Sequence, residues 1–426
     1  MGAVLFLAMK TSHRLLIIAP HSSYRIAPYL QAAESLGVDV TIASAGEFSL
    51  ISVINKGLHI DFAKPEQALA EIILAAEKTP FTGILGTDDM SVALAANVAR
   101  ALGLAHNPSE AALLARRKDK ARACLEHAGV AVPMHRRIEL TKPTTAQLEV
   151  LEYPCVLKPL AMSGSRGVIR VNDLESAQNA IVRITTILRD VEEPEESAAV
   201  LAETFIAGRE VAYEGLLSEG KLKTLALFDK PDPLDGPYFE ESYYISPSRL
   251  PDEVQKEIKD TVAAACRAYG LQQGPVHAEL RIDVNDKVWV MEIAARTIGG
   301  ECARLVELVT GQKLEKLVLA QLMNLPRPVI DFKGGAGVLM IPIPRAGILR
   351  RIEGTAAARA VPGIEEVVIS VRDGHELVPL PEGSSYLGFI YAVADSAAEA
   401  ESVLREAHSH LKIVTAPLFK IAGAPD

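Results

Sequence analysis

The sequence has little of what usually classifies a chain at first sight. It holds four cysteines and one tryptophan, and aromatic residues make up only 5%. Cys124, Cys155, Cys266 and Cys302 are scattered without CxxC spacing, which argues against a disulfide framework and a thiolate zinc site and leaves four buried thiols as the expectation. No apolar run reaches the roughly eighteen residues of a membrane span. A formal net charge of -10 gives no basic footprint for nucleic acid, although an acidic chain can still hold a locally positive phosphate pocket. The loop after the first apolar run reads PHSSYR and lacks GxGxxG, so a dinucleotide dehydrogenase is disfavoured. The opening MGAVLFLA is apolar but short, without a basic n-region or a small-residue cleavage pattern. No secretory signal is therefore expected, Met9-Lys10 is a candidate start, and a cytoplasmic setting is the default.

What is present is a chain of 426 residues, 49% hydrophobic and 23% charged, and that length predicts roughly three domains of a globular protein. RLLIIAP from Arg14 reads as a buried strand, a helical stretch runs from Tyr24 to Leu36 with Gly37 as its cap, and VDVTIAS reads as a second strand. A helix from Pro65 to Lys78, the strand-ending run FTGILGTDD and a helix from Met90 to Leu102 closed by Gly103 complete a parallel α/β domain over residues 1–107. Residues 108–133 predict a helical region ended by Gly129 and Pro133, and mixed α/β patterning continues to Leu325, giving a second domain over 108–325. Arg327-Pro328 and Gly334-Gly335 punctuate the chain before a last α+β unit over 326–426, with one helix from Ser396 to Leu411.

The most informative stretch is PVHAELRIDVNDKVWVMEIAAR, two alternating apolar runs flanking Asn285-Asp286. With those two residues as the loop, Val284 pairs with Lys287, and counting outward sets Glu279 opposite Glu292 and His277 opposite Ala294, with Arg296 on the same face. Like charges directly opposite on a sheet destabilise it, so a cation is expected between them, and magnesium is the natural candidate. A carboxylate pair beside an arginine suits metal-assisted phosphoryl transfer. Exposed glutamates on a solvated sheet face are the common alternative, but these strands are strongly apolar and RTIGGE follows, whose Gly299 and Gly300 let backbone amides approach a ligand.

Weaker signals lie upstream. In YPCVLKPLAMSGSRGVIRV a strand ends at Lys158, and Ser163, Gly164, Ser165 and Gly167 form a loop able to present amides and hydroxyls to phosphates, though no GK[ST] follows as in a Walker loop. In VLAETFIAGREV a turn at Ala207-Gly208 joins two strands, with Phe205 and Ile206 as an apolar wall and Glu203 and Glu210 as acceptors. The segment FDKPDPLDGPYFEESYYISPSRL is too irregular for a strand and is expected to line a substrate pocket, with Tyr238, Glu241 and Tyr244 as possible contacts; a plain surface loop is the other reading.

Taken in order, RKDKARACLEHAGVAVP, PCVLKP, SGSRG, AETFIAGRE, HAELR and MEIAAR resemble the ATP-grasp superfamily over roughly residues 110–325. HAELR, EIAARTIGG and the C-terminal unit are most similar to the L-amino-acid ligases, which join amino acids. The resemblance implies an ATP-grasp fold between an N-terminal parallel α/β domain and a C-terminal α+β domain. It also implies ATP and Mg2+ (Mn2+ able to substitute), small-molecule carboxylate and amine substrates, and ligation through an acyl phosphate. Lys120 and Lys158 are implied phosphate contacts, with Lys120 preferred to Lys118 on family spacing. Ser163 to Gly167 would cover the phosphates, and Glu203, Phe205, Ile206 and Glu210 would hold adenosine. Glu279 and Glu292 are implied metal ligands, and Arg296 with Gly299 the acyl-phosphate cradle. His277 would orient substrate or accept an amine proton, or simply be a core histidine. Many relatives carry asparagine two residues after the second glutamate, where this chain has Ala294, which leaves open how a second ion is held. Activation of bicarbonate or formate and a non-catalytic ATP-binding module are the competing readings; a homodimer is the commonest assembly.

Overall fold

The structure is a computed structural model that describes residues 13–46, 57–191, 193–332 and 334–418. The opening MGAVLFLA and Met9 lie outside the described residues. No helix among those described is long and apolar enough to cross a membrane.

The N-terminal part is built from β1 (Arg14–Ala19), α1 (Ile26–Leu36), β2 (Asp39–Ser44), β3 (Leu58–His59), α2 (Pro65–Lys78), β4 (Gly83–Gly86) and α3 (Val92–Ala101). Its four strands are parallel in the order β3-β2-β1-β4. The chain winds away from β1 on one side through β2 and β3 and returns to its other side as β4. The crevice at the carboxyl ends of β1 and β4 is therefore a topological switch point, where open α/β sheets bind ligands.

The expected helical region 108–133 is two helices, α4 (Ser109–Arg116) and α5 (Lys118–His127), broken at Arg117, whose φ of -96° and ψ of 101° are extended. The break lets the Lys118 N–H donate to Leu160 O at 2.8 Å instead of continuing a helix. Next come β5 (His135–Glu139), β6 (Cys155–Pro159), β7 (Ile169–Val171), α6 (Leu174–Ile187) and β8 (Ala199–Thr204). They form an antiparallel sheet in the order β5-β8-β6-β7, and α6 buries Ala177, Ala180, Ile181 and Ile184 at helical spacing against it. This small lid carries both the Gly/Ser loop and Lys158.

The remaining strands are β9 (Arg209–Ser218), β10 (Lys221–Lys230), β11 (Tyr243–Ser246), β12 (Gly274–Ile282) and β13 (Val288–Ala294), with α7 (Asp252–Tyr269) before β12. After α8 (Ala303–Thr310) and α9 (Leu314–Leu322) come β14 (Gly335–Ile341), β15 (Gly347–Glu353), β16 (Ile364–Ile369), β17 (Glu376–Leu377), β18 (Gly388–Ala394), α10 (Ala397–Ser409) and β19 (Lys412–Ala416). One eight-stranded sheet runs β13-β12-β9-β10-β11-β14-β18-β16, so hydrogen bonding is continuous across the expected boundary at 325/326. Its bridge is β11, inside the segment expected to be irregular. Prolines and acids hid that strand in the sequence, but Tyr243–Ser246 pairs with β14 from Leu339 to Ala336 and is buried throughout. A single hydrophobic core joins Leu15 and Ile17 of β1, Leu216 and Phe228 of the sheet, Leu305 and Leu319 of α8 and α9, and Val338 of β14.

The β12–β13 hairpin sets Glu279 opposite Glu292 and His277 opposite Ala294, as counted from the sequence, but by a different route. Near the turn the register is Ile282 with Val288 and Leu280 with Val290, one residue off the expected pairing, because the loop is longer than Asn285-Asp286. A bulge at Met291 restores the count before Glu292. Of the four cysteines, all free, Cys155, Cys266 and Cys302 are buried and Cys124 is only partly so.

Candidate active site

One face of the large sheet, the lid and the switch-point crevice enclose a cavity of about 820 Å³. Its walls come from all three parts of the chain: Tyr24, Arg25, Asp88 and Asp89 from the N-terminal crevice, Ser163 to Ser165 from the lid loop, and Ser384, Tyr386 and Phe389 from the C-terminal unit.

Glu279 and Glu292 face this cavity, with side chains 25% and 24% exposed. Among the described residues no donor hydrogen-bonds to either carboxylate. Three cations and one imidazole stand around them without closing: His277 Nε2 and Lys230 Nζ at 3.6 and 3.7 Å from Glu279, Lys118 Nζ and Arg296 Nη2 at 3.8 and 3.9 Å from Glu292. Burial, with the charge of Glu292 added, raises the Glu279 carboxyl above its ordinary range despite Lys230. Two unbonded carboxylates on one face are a donor set that fits a divalent cation.

The other acids are satisfied by protein cations. Glu203 is almost wholly buried between Arg122 Nε at 2.7 Å and Lys158 Nζ at 2.6 Å. Burial alone would raise its carboxyl, but the two cations outweigh it and hold it at about 2, while burial depresses Lys158. This corrects the expectation that Glu203 accepts from adenosine: its Oε2 holds Lys158 at the cavity wall and its Oε1 faces Arg122. Glu210 receives Lys230 Nζ at 2.8 Å; Lys230 also contacts Glu241, which accepts from Tyr244 Oη at 2.5 Å. The three carboxylates of Glu210, Glu241 and Glu279 lie within 4.8 Å of one another, the one such cluster among the described residues, and Lys230 is packed among them. Burial and the Glu279 charge push Glu241 up to about 7, and the three acids hold Lys230 well above the ordinary lysine range against its own burial.

Phe205 and Ile206 line the cavity with Val156, Val168 and Phe239. The Phe205 ring lies 6.4 Å from Phe239, tilted by 39°, and takes Arg170 and Arg281 at 4.1 and 5.0 Å, an aromatic wall with cations stacked on it. In the lid loop, Gly164 and Ser165 both have positive φ, 64° and 54°, turning Ser163, Gly164 and Ser165 to the cavity. Gly167 is a correction: it is buried behind the loop, its N–H donates to Pro381 O at 2.8 Å, and a Cβ there would meet Pro159 at 2.7 Å. Glycine is needed at 167 for packing.

Lys120 is the third correction. Residues two apart on a helix point about 200° apart, so Lys118 and Lys120 cannot share a face. Lys118 donates to Met162 O at 2.5 Å and lines the cavity, whereas Lys120 is 56% exposed and reaches Glu195 at 3.9 Å. Tyr238 is the fourth: it hydrogen-bonds Arg183 on α6 and packs with the lid core, whereas its neighbours Phe239, Glu241 and Tyr244 do line the cavity.

His277 is buried yet lines the cavity, with Nδ1 3.3 Å from Glu214 Oε2. Glu214 is fully buried, its carboxyl raised by that burial, and it also accepts from the Ile298 N–H at 3.2 Å. Arg296 is held by Asp89, Nε to Oδ1 at 2.9 Å and Nη2 to Oδ2 at 3.0 Å. Gly299 stands at the wall beside Arg25, and among the described residues no acceptor bonds its N–H, while the Gly300 N–H is taken by Tyr24 Oη at 3.0 Å. Ala294 is completely buried and offers nothing to a metal.

Comparison with known proteins then matches three parts of the chain in order: the ATP-grasp N-terminal domain over residues 30–106, the ATP-grasp domain over 151–304 and the L-amino acid ligase C-terminal domain 2 over 339–416. These matches support placing the chain in the ATP-grasp L-amino-acid ligase family. Its fold superposes on the L-amino acid ligase from Bacillus licheniformis with a TM-score of 0.79 and 28% identity, over 95% of this chain and 99% of that one. Among curated relatives, the alanine–anticapsin ligase of Bacillus subtilis (strain 168) is 28% identical over 277 residues, 61% of this chain and 58% of the relative. The chain thus spans somewhat over half the length of the curated relatives it matches. Phosphoribosylglycinamide synthetase from Anaerococcus prevotii shares the fold alone, at TM-score 0.66 and 17% identity.

Sequence reasoning set Lys118 aside in favour of Lys120 and missed Lys230, Glu214, Arg25, Asp88 and Asp89. For the last two a signal existed: an acidic pair directly after an apolar strand of a parallel sheet, in TDD, is at the carboxyl end where such sheets bind ligands.

Proposed function

We propose that this protein is an ATP-dependent ligase that joins the carboxylate of one amino acid to the amine of another. The single observation that carries this is the pair Glu279 and Glu292, left without protein donors in a cavity that also has an aromatic wall at Phe205 and a fork of N–H groups at Arg296. A magnesium ion held by the pair would neutralise charge on the terminal phosphates. The substrate carboxylate oxygen attacks the γ-phosphorus, the bond from phosphorus to the bridging oxygen of ADP breaks, and an acyl phosphate results. The amine then attacks the acyl carbon and phosphate leaves with the former carboxylate oxygen. Lys158 and Lys118 steady the phosphates, Arg296 and the Gly299 N–H receive the charge on the tetrahedral oxygen, and His277, braced by Glu214, accepts the amine proton. The family's ATP and divalent-metal chemistry and the relatives' ligation of alanine support this reading.

A panel of amino-acid pairs with Mg2+ and ATP tests it. ADP and phosphate should appear in equal amounts only when both amino acids are present, with a dipeptide by mass. Substrate carrying an ¹⁸O-labelled carboxylate should deliver one label to phosphate. Release of unlabelled phosphate refutes the acyl phosphate, and release driven by bicarbonate alone points to a carboxylase.

A further inference from the structure

Arg296 is not free to seek its ligand. Its edge formed by Nε and Nη2 is closed in a two-point pair by Asp89, at 2.9 and 3.0 Å, and Nη1 donates to Thr297 O at 3.0 Å. A guanidinium has five N–H donors in one plane; three are taken, which leaves one on Nη1 and one on Nη2. A two-point pair fixes the plane as well as the position of the fork, so the two remaining donors have one direction only. The side chain is 9% exposed and lines the cavity.

Asp89 comes from another part of the chain, 207 residues away, in the turn after β4. It is partly buried, and although burial alone would raise its carboxyl, Arg296 outweighs that and keeps it ionised. Its neighbour Asp88 is engaged differently, with Arg25 Nη1 at 2.7 Å and Ser23 Oγ at 2.7 Å, so the pair of acids divides between two arginines.

We infer that Asp89 is a positioning residue, through which the N-terminal domain orients the Arg296 fork toward the reacting oxygen. This rests on the role given to Arg296 above. The oxyanion site is thereby complete only when the N-terminal crevice is docked against the loop after β13. Without Asp89, Arg296 would keep only its bond to Thr297 O and would pair instead with Glu292, already 3.9 Å from Nη2, which would place a cation on the metal ligand.

The test compares Asp89→Asn, Arg296→Ala and the double variant, measuring kcat, the KM for ATP and the thermal midpoint of each. Asparagine keeps the volume and one acceptor but loses the charge and one of two bonds. Asp89→Asn should lower kcat by about 10- to 100-fold with the KM for ATP within about twofold, and Asp89→Glu should recover part of kcat. The double variant should be no slower than Arg296→Ala alone, since a residue acting through Arg296 has nothing left to act on. A loss confined to the thermal midpoint with kcat unchanged, or losses that multiply in the double variant, would overturn the proposal. An active Arg296→Ala enzyme overturns the underlying reading of Arg296 itself; an inactive one beside a fully active Asp89→Asn overturns only the positioning role.

Discussion

Two groups of acids share the cavity and are treated in opposite ways. Glu203 on the lid is clasped by Arg122 and Lys158, and Glu210 on the large sheet by Lys230, at 2.6 to 2.8 Å. On the hairpin side Glu279 and Glu292 face each other with the nitrogens of His277, Lys230, Lys118 and Arg296 held 3.6 Å or more away. Buried charges require partners, and breaking such a pair leaves an uncompensated charge costing about 3–5 kcal/mol. Glu203 therefore works for the fold and for holding Lys158, whereas the hairpin pair, held by no hydrogen bond among the described residues, is a cost to the fold that a ligand would offset. The same residue type is structural or functional according to who donates to it.

Exchanging charges on the two sides separates them. Glu292→Gln should lower turnover on the order of 1,000-fold, since a metal contributes several kcal/mol to a phosphoryl-transfer transition state. Its thermal midpoint should hold or rise because like-charge repulsion is relieved; a large fall would move Glu292 to the structural group. Glu203→Gln should do the reverse, destabilising the chain by about 3–5 kcal/mol in denaturant titration. Unfolding at unchanged denaturant concentration would show that the clasp adds nothing.

The clasp should also titrate. The Glu203 carboxyl sits at about 2 when folded against an ordinary 4.5. Its contribution is complete above 4.5 and is lost as pH falls through about 2. The stability gap between the native chain and Glu203→Gln should accordingly narrow between about pH 5 and about pH 2.5, followed by thermal unfolding; a constant gap removes the ion pair from the ledger. The smallest contrast lies on α5. Lys118→Ala should raise the KM for ATP about tenfold, the loss of one charge-assisted hydrogen bond, while Lys120→Ala, an exposed pair worth about 0–1 kcal/mol, should leave both KM and stability within twofold. Equal effects would restore Lys120 to the site.

Local pattern and chemistry were legible without a structure: the βαβ opening, the hairpin, the acidic pair opposite one another and the Gly/Ser loop all follow from periodicity, turn residues and side-chain type. Even the Glu279–Glu292 pairing was reached, although through a turn one residue too short that a bulge at Met291 happens to correct. Periodicity fixes which face a residue takes, but a bulge leaves no mark in composition. What only tertiary structure decided was partnership. Whether Glu203 is free, which of Lys118 and Lys120 turns inward, that Tyr238 leaves the pocket and that Tyr243–Ser246 stitches two units into one sheet all depend on groups far apart in the chain. Asp89 reaching Arg296 across 207 residues is the extreme case. Sequence supplies donors and acceptors; their pairing is settled by packing, because only burial makes an unmatched charge expensive enough to dictate where it goes.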